Sequence, residues 1–107
     1  MPFYLVRAAY SSSAAAKIVQ HPQHREEALR KSCEALGGKM HQFFFTFGDY
    51  DTMVLAELPN NSAAAALSMS AEASGAVRMI STTVLLTVDE AIEAMKQAQS
   101  DQYAPPT

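Results

Sequence analysis

Asp49, Tyr50 and Asp51 stand in succession within an apolar segment and place two carboxylates beside a phenol. Side chains of these types can exchange protons with a substrate or bind a cation. The same residues after Gly48 are also typical of a tight turn, because glycine and aspartate adopt the conformations that short connections need. Both interpretations stay open, and the turn is favoured. Two carboxylates offer too few oxygens for a hard cation, which takes about six or more, so no metal site is predicted.

His41 is the histidine best suited to chemistry, because it lies in a strand-like run on the same side as Phe43, Phe45 and Phe47. Desolvation among apolar side chains favours the neutral imidazole, which is the form a general base requires. We therefore predict His41 as a candidate base and Tyr50 as a second candidate catalytic residue. The alternative is a core or interface histidine satisfied by a hydrogen bond.

Two arginines, Arg7 and Arg78, interrupt strand-like runs that become neighbours in the sheet predicted below. Two inward guanidiniums could hold a carboxylate or a phosphate. The alternative is that they pair with Glu57 or extend to the edge of the sheet. The candidate ligand-binding residues are Arg7, Arg78, Asp49, Asp51 and Tyr4, and Tyr10 shares one side of its strand with Tyr4.

The other reactive residue types are predicted to be structural or exposed. His21 and His24 flank Pro22 near a helix start, with no third metal ligand nearby. The single cysteine, Cys33, excludes an internal disulfide, and its apolar helix position favours a buried thiol over a nucleophile. No glycine-rich phosphate loop, catalytic-triad order or cofactor fingerprint is present, so no cofactor is predicted.

Composition narrows the classes of function. The 107 residues suit one domain, assigned to residues 1–98 with a polar tail over 99–107. A net charge of −3 without a basic block makes nucleic acid an unexpected partner. No apolar run approaches the roughly 20 residues of a membrane-spanning helix, and Arg7 interrupts the apolar N-terminus, which is atypical of a signal peptide. A cytoplasmic protein is expected.

Hydrophobic periodicity supplies the elements that must position these residues. The predicted elements are a strand over Phe3–Tyr10, a short helical turn over Ala14–Val19, a helix over His24–Leu36, a hairpin over Lys39–Leu58, a helix over Ser62–Ser74, a strand over Val77–Thr87 and a terminal helix. Gly37 ends the second helix as a left-handed cap, and Thr87 with Glu90 forms a capping box. Arg25 falls on the side of its helix that is predicted to face away from the core.

This order predicts an α+β, ferredoxin-like split-βαβ fold: a four-stranded antiparallel sheet with both major helices on one face, plus a C-terminal helix. The other face should be polar if water covers it, yet its predicted strands are apolar on both sides. A second copy is the favoured cover, so we predict a homodimer or higher oligomer with sheets packed face to face. A monomer covered by its own terminal helix is the alternative.

The hairpin also carries a resemblance. "FGDYD", an apolar strand ending "ELP", then "NNSAAAALSMSAEASGAVR", all after "ALGGK", is similar to the GYD domain family, which is named for a turn of this type. The resemblance spans the first strand to about Lys96 and implies a dimeric α+β barrel with no established activity. The segment "HPQHR" departs from the family pattern. Relatives of the wider fold include cofactor-free monooxygenases, isomerases and ligand-binding modules, among which fold does not select.

Two functional hypotheses follow. The first is a homo-oligomeric module that binds a small ligand or has a structural role. The second is a cofactor-free enzyme, monooxygenase-like or isomerase-like, acting on a small apolar or aromatic molecule. In the second, His41 is the base, Arg7 or Arg78 holds an anion and Tyr50 lies near the mouth. A cavity of roughly 300 Å³ or more in which His41 and an arginine converge would favour the enzyme, and a solid sheet interface filled by Phe and Met would favour the module.

Overall fold

A computed structural model describes residues 1–107. In chain order the elements are β1 (Phe3–Tyr10), α1 (Ser12–Gln20), α2 (Arg25–Ala35), β2 (Lys39–Phe45), β3 (Thr52–Glu57), α3 (Asn61–Ala73), β4 (Val77–Leu85) and α4 (Val88–Gln99). The predicted order is confirmed. The segment predicted as a short turn is instead a nine-residue helix, because Ser11 caps it by accepting a hydrogen bond from the Ala14 amide.

The four strands form one sheet in the order β2-β3-β1-β4, and all three pairings are antiparallel. Helices α2 and α3 contribute buried residues to a single core that lies on one face of this sheet. The predicted α+β ferredoxin-like fold is therefore confirmed. We call the covered surface the helix side and the opposite surface the open face.

The core on the helix side follows from alternation along the central strands. Tyr4 and Val6 of β1 and Val54 and Ala56 of β3 are buried, whereas the residues between them are only partly buried. Successive strand residues point to opposite faces, so this alternation assigns the buried set to one side. Leu67 of α3 packs into the same cluster.

Glycine sets the connection between α2 and β2. Gly37 has φ +84°, the left-handed conformation that glycine adopts without strain, as predicted for a helix cap. At Gly38 a Cβ atom would collide with the backbone carbonyl oxygen of Glu57, so no larger residue fits without movement. These two residues let the chain turn from α2 directly into the sheet.

Two register shifts move residues that the sequence analysis placed by simple alternation. In β2, Met40 pairs with Ala56 and Gln42 with Leu55, which leaves His41 as an extra residue. In β4, Met79 pairs with Ala9 and Val77 with Tyr10, which leaves Arg78 as an extra residue. An extra residue in one strand re-aims the side chains around it. The prediction that His41 shares a side with Phe43 is consequently wrong.

The terminal helix α4 does not cover the open face. None of its residues is buried, and its apolar residues Ile92 and Met95 keep 42% and 63% of their surface exposed. The radius of gyration is 17.0 Å, whereas a compact domain of 100 residues has about 13 Å. A single chain thus leaves both the sheet and this helix incompletely packed.

No helix combines the length and the hydrophobicity needed to cross a membrane.

Candidate functional site

The helix side encloses a cavity of about 210 Å³ between the sheet and helices α2 and α3. We call it the helix-side cavity; Val6, Val54, Leu29 and Leu67 are among its walls, and 12 of its 17 lining residues are hydrophobic. A smaller set of polar residues breaks this apolar lining. The cavity therefore has the composition of a small-molecule site, mostly apolar with a few polar groups.

The one charged residue of the cavity lies where the helix-side cavity meets a second cleft, whereas Ser32, Thr52 and Ser70 line the cavity elsewhere. Tyr10, Arg25 and Ser74 line both spaces. The second cleft, of about 230 Å³, adds Lys17 from α1 and is more open than the cavity. The two spaces adjoin at these shared residues, so a ligand in the cavity would meet a cationic, hydroxyl-bearing end there.

Arg25 is the main polar group at this end. It is the first residue of α2, and helical side chains lean back toward the N-terminus, which directs Arg25 toward the end of β1. The prediction that it faces away from the core is wrong. Its Nε atom is buried without a hydrogen-bond partner, its Nη1 reaches only Gln23 Oε1 at 3.4 Å, and no carboxylate lies within ion-pair distance.

Tyr10 lies beside that guanidinium. Burial raises the pKa of the Tyr10 hydroxyl, a hydrogen bond from Arg25 and the charge of Arg25 oppose the rise, and the Asp51 carboxylate adds to it. The phenol is therefore protonated at neutral pH and can donate a hydrogen bond. Tyr10 was singled out from sequence only as a partner of Tyr4 along one side of a strand, and the structure separates their roles.

Tyr4 is a core residue. It is 1% exposed, and its hydroxyl donates a hydrogen bond to Asn61 Oδ1 at 2.7 Å. That bond anchors the start of α3 to β1. Its role as a ligand-binding residue stays a prediction that this geometry does not favour.

The open face brings together two of the predicted site residues. The Arg7 guanidinium carbon lies 4.6 Å from the centre of the Tyr50 ring, within the range of a cation–π interaction. Arg7 Nε is also buried without a hydrogen-bond partner. The predicted pairing of Arg7 with Glu57 does not form, because Glu57 bonds to His41 instead.

His41 and Glu57 form a second group on this face. His41 Nε2 lies 2.6 Å from Glu57 Oε1, and the Phe3 ring lies 5.6 Å from the imidazole, centre to centre. A histidine satisfied by a hydrogen bond is the alternative that the sequence analysis left open. Neither His41 nor Arg7 lines the helix-side cavity, so the convergence that would favour the enzyme does not occur there.

The Asp49–Asp51 turn has a structural role at Asp51. The Asp51 carboxylate accepts a hydrogen bond from the Tyr10 amide, and the Asp51 amide donates one to the Ala8 carbonyl, each at 2.8 Å. Asp49 is exposed and makes no side-chain hydrogen bond within the chain. The favoured turn interpretation therefore accounts for Asp51, and a ligand role for either aspartate stays a prediction.

Other reactive residues lie apart from both groups. Arg78 is exposed at its register shift, and His21 and His24 are exposed at the start of α2. Cys33 is fully buried, and burial raises the pKa of its thiol, so it is an inert core residue, as predicted. No three His, Cys, Asp or Glu side chains come close enough together to hold a metal ion.

Sequence reasoning missed Arg25 as a site residue. The available signal was its position at the start of a helix, three residues after Pro22. A long side chain there leans back toward the N-terminus and can reach the end of β1. Amphipathic periodicity instead assigned it to the solvent side.

Known proteins resemble this chain in sequence and in fold. The sequence model of a family described as GYD domain matches residues 4–95. The crystal structure of FFRP-DM1 superposes with a TM-score of 0.51 at 13% identity, over 80% of this chain and 100% of that chain. Hypothetical protein PHS023 from Pyrococcus horikoshii gives a TM-score of 0.50 at 12% identity, over 81% and 92%. At these identities the structures are similar in fold alone. No curated protein matches the sequence significantly.

Proposed function

The chain belongs to the GYD domain family, and we propose that it is a homo-oligomeric module that binds a small, largely apolar molecule in the helix-side cavity. The observation that carries this proposal is the cavity itself, with 12 hydrophobic residues among 17 and its one charged residue, Arg25, at the junction with the second cleft. The cavity is partly open to solvent, and mostly apolar walls with a few polar groups are typical of small-molecule sites.

The open face supports the oligomeric part of the proposal. Leu5, Met53 and Leu55 occupy its centre and are only partly buried, and Phe44 at its edge keeps 51% of its surface exposed. Large contiguous apolar patches of this kind mark interaction sites. A second copy covers such a face by two-fold symmetry with the same residues, and closed two-fold dimers are the commonest oligomers. The exposed apolar side of α4 would then pack against the partner as well.

Native mass spectrometry of the gently purified protein tests both parts. We expect a species of at least twice the 11.6 kDa chain, or about 23 kDa, with a small molecule bound to each subunit. Ala71→Phe, on the α3 wall of the cavity, should displace the molecule. Ala73→Phe, exposed on the same helix, is the matched control and should retain it.

The possible results separate the two parts. A stable monomer at micromolar concentration would contradict the oligomer. An oligomer without any bound molecule would contradict ligand binding and leave a structural module.

A second candidate, the cofactor-free enzyme, is favoured by one observation, the His41–Glu57 pair beside Phe3. A carboxylate that holds Nε2 orients the imidazole and presents Nδ1, which makes no hydrogen bond within the chain, to a substrate on the open face. Crystals grown with the co-purified molecule distinguish the candidates. Electron density for the molecule beside His41 Nδ1 would favour the enzyme. Electron density for it in the helix-side cavity would favour the module.

A further inference from the structure

We propose that the ligand of the helix-side cavity carries a carboxylate, which Arg25 binds at the junction with the second cleft, on a small apolar body. This inference rests on the proposed function and names its ligand class. At roughly 30 Å³ for each water in the liquid, a 210 Å³ cavity has room for about seven waters. The apolar body is therefore comparable to a benzene ring or a short alkyl chain.

Arg25 lacks a counter-ion within the chain. A guanidinium removed from water is costly unless a charge or hydrogen-bond acceptor compensates it. Arg25 is half-buried with its Nε atom unsatisfied, and no carboxylate pairs with it. On the same helix, Arg30 pairs with Glu27 at 2.6 Å. Arg25 thus faces the cavity without an anionic partner.

The hydrogen-bond donors at the junction of the cavity and the second cleft suit a carboxylate. A guanidinium presents parallel N–H groups that match the two oxygens of a carboxylate, and such charge-assisted bonds are about twice as strong as neutral ones. The Tyr10 hydroxyl, kept protonated because burial raises its pKa, and the Ser74 hydroxyl line the same junction. The Ser74 hydroxyl already donates to the Ala71 carbonyl oxygen at 2.6 Å, so Arg25 and Tyr10 are the donors that can meet one anionic head while the mostly apolar walls surround its body.

The nearby acidic residues do not take this place. Asp51 uses its carboxylate to accept the Tyr10 amide hydrogen. Glu26 holds a lowered pKa because it accepts a hydrogen bond from its own backbone amide and lies beside His24. Both carboxylates are therefore occupied locally, and Arg25 is free to bind an external anion.

The charge of the junction favours a carboxylate over a phosphate. A phosphate monoester carries close to two negative charges and three acceptor oxygens at neutral pH. Arg25 is the one cation shared by the cavity and the cleft, and Lys17 lies in the cleft alone. One guanidinium balances one carboxylate.

Calorimetric titration with matched acid and amide probes tests the proposal. The acids are benzoate, phenylacetate and hexanoate, and the neutral partners are benzamide, phenylacetamide and hexanamide. We expect at least one acid to bind tenfold or more tightly than its amide. Arg25→Gln should remove most of that preference, a loss of roughly ten- to a hundredfold for an acid, since hydrogen bonds to charged groups are lost. Arg25→Lys, which keeps the charge, should retain part of it.

Arg30→Gln is the matched control, because Arg30 lies on the same helix and does not line the cavity. It should leave the acid-to-amide ratio unchanged. The fold of each variant is checked by circular dichroism and melting temperature. Arg25→Gln should melt close to wild type, because its guanidinium forms no ion pair and, besides its contact with Tyr10, makes only a long hydrogen bond of 3.4 Å to Gln23.

Each of the following results would contradict the proposal of a carboxylate ligand. Equal binding of acid and amide, insensitive to Arg25→Gln but blocked by Ala71→Phe, would refute the ligand class and leave the binding module intact. Tighter binding of phenyl phosphate than of phenylacetate would assign a phosphate instead. No binding of any probe at millimolar concentration would also refute the carboxylate, while the co-purified molecule decides the binding function separately.

Discussion

The two faces of the sheet differ in how completely one chain satisfies them. On the helix side, α2 and α3 bury a cluster that includes Tyr4, Val54 and Leu67, and they enclose a cavity. On the open face, residues such as Leu55 and Phe44 have no covering element, and α4 stays exposed. Each face holds one arginine, Arg25 or Arg7, whose Nε atom is buried without a partner.

We propose that this difference separates assembly from ligand binding. The helix side is closed by local crossovers and leaves a space sized for a small molecule. The open face presents a broad apolar surface with aromatic and charged groups, which suits another copy of the chain better than a small ligand. Arg7 is stacked on Tyr50 there, whereas Arg25 lies beside the Tyr10 hydroxyl and has no carboxylate partner.

The largest expected effect tests whether the open face is an interface. Leu55→Glu should raise the dissociation constant of the oligomer roughly a hundredfold or more, because an unpaired buried charge costs about 3–5 kcal/mol. Met69→Glu, exposed on α3, is the control and should leave assembly unchanged. Analytical ultracentrifugation over a dilution series measures both. Equal behaviour of the two variants would mean that the open face is not the interface.

A pair of leucine truncations compares the two faces directly. Leu67→Ala should lower the free energy of unfolding by about 2–5 kcal/mol, because it removes a fully buried side chain from the helix-side core. That loss should be the same at high and low protein concentration. The loss from Leu55→Ala should shrink as dilution dissociates the oligomer. Denaturant unfolding at two protein concentrations measures both losses. If the losses from Leu67→Ala and Leu55→Ala depend on protein concentration in the same way, the proposed difference between the two faces is contradicted.

The turn between β2 and β3 allows a test within one tripeptide. Asp51→Ala should cost about 1–3 kcal/mol of stability, because it leaves the Tyr10 amide without its acceptor. Asp49→Ala, at an exposed position, should stay within about 0.5 kcal/mol. Thermal melts measure both changes. Unchanged stability of Asp51→Ala, together with lost binding of the co-purified molecule, would assign Asp51 to a site.

The smallest expected effect concerns α4, which belongs to neither face. The Thr87 amide donates a hydrogen bond to Glu90, and this lowers the pKa of the Glu90 carboxyl from its ordinary value near 4.5. A lowered pKa means that the cap stabilises α4 fully above pH 4.5 and is lost as the pH falls through the lowered value. The helical circular dichroism signal of the wild-type protein should therefore fall between pH 6 and about pH 3. Glu90→Gln should remove this pH-dependent decrease, and Glu93→Gln should retain it.

Features that depend on near neighbours in the chain were predictable. The capping box at Thr87 and the left-handed Gly37 both appear where the sequence places them. Each rests on hydrogen bonds between residues a few positions apart. The element order, and with it the ferredoxin-like fold, follows from the same local signals combined with the rule for right-handed crossovers.

The candidate site was predictable only in part. Tyr50 and Arg7 were both named, but their stacking was not expected. His41 was placed on the wrong side, because the register shift in β2 depends on how that strand pairs with β3. Arg25 was overlooked, because its contact with the cavity depends on where α2 begins relative to the end of β1.

From the amino-acid sequence alone come the strands, the helices, their caps and the unusual apolarity of both sheet faces, since short-range hydrogen bonding and periodicity govern them. Tertiary structure alone decided that Arg25 borders a cavity, that His41 meets Glu57 and that α4 stands free. Those outcomes depend on pairing register and on helix placement, which join residues distant in the chain and leave no mark in local spacing.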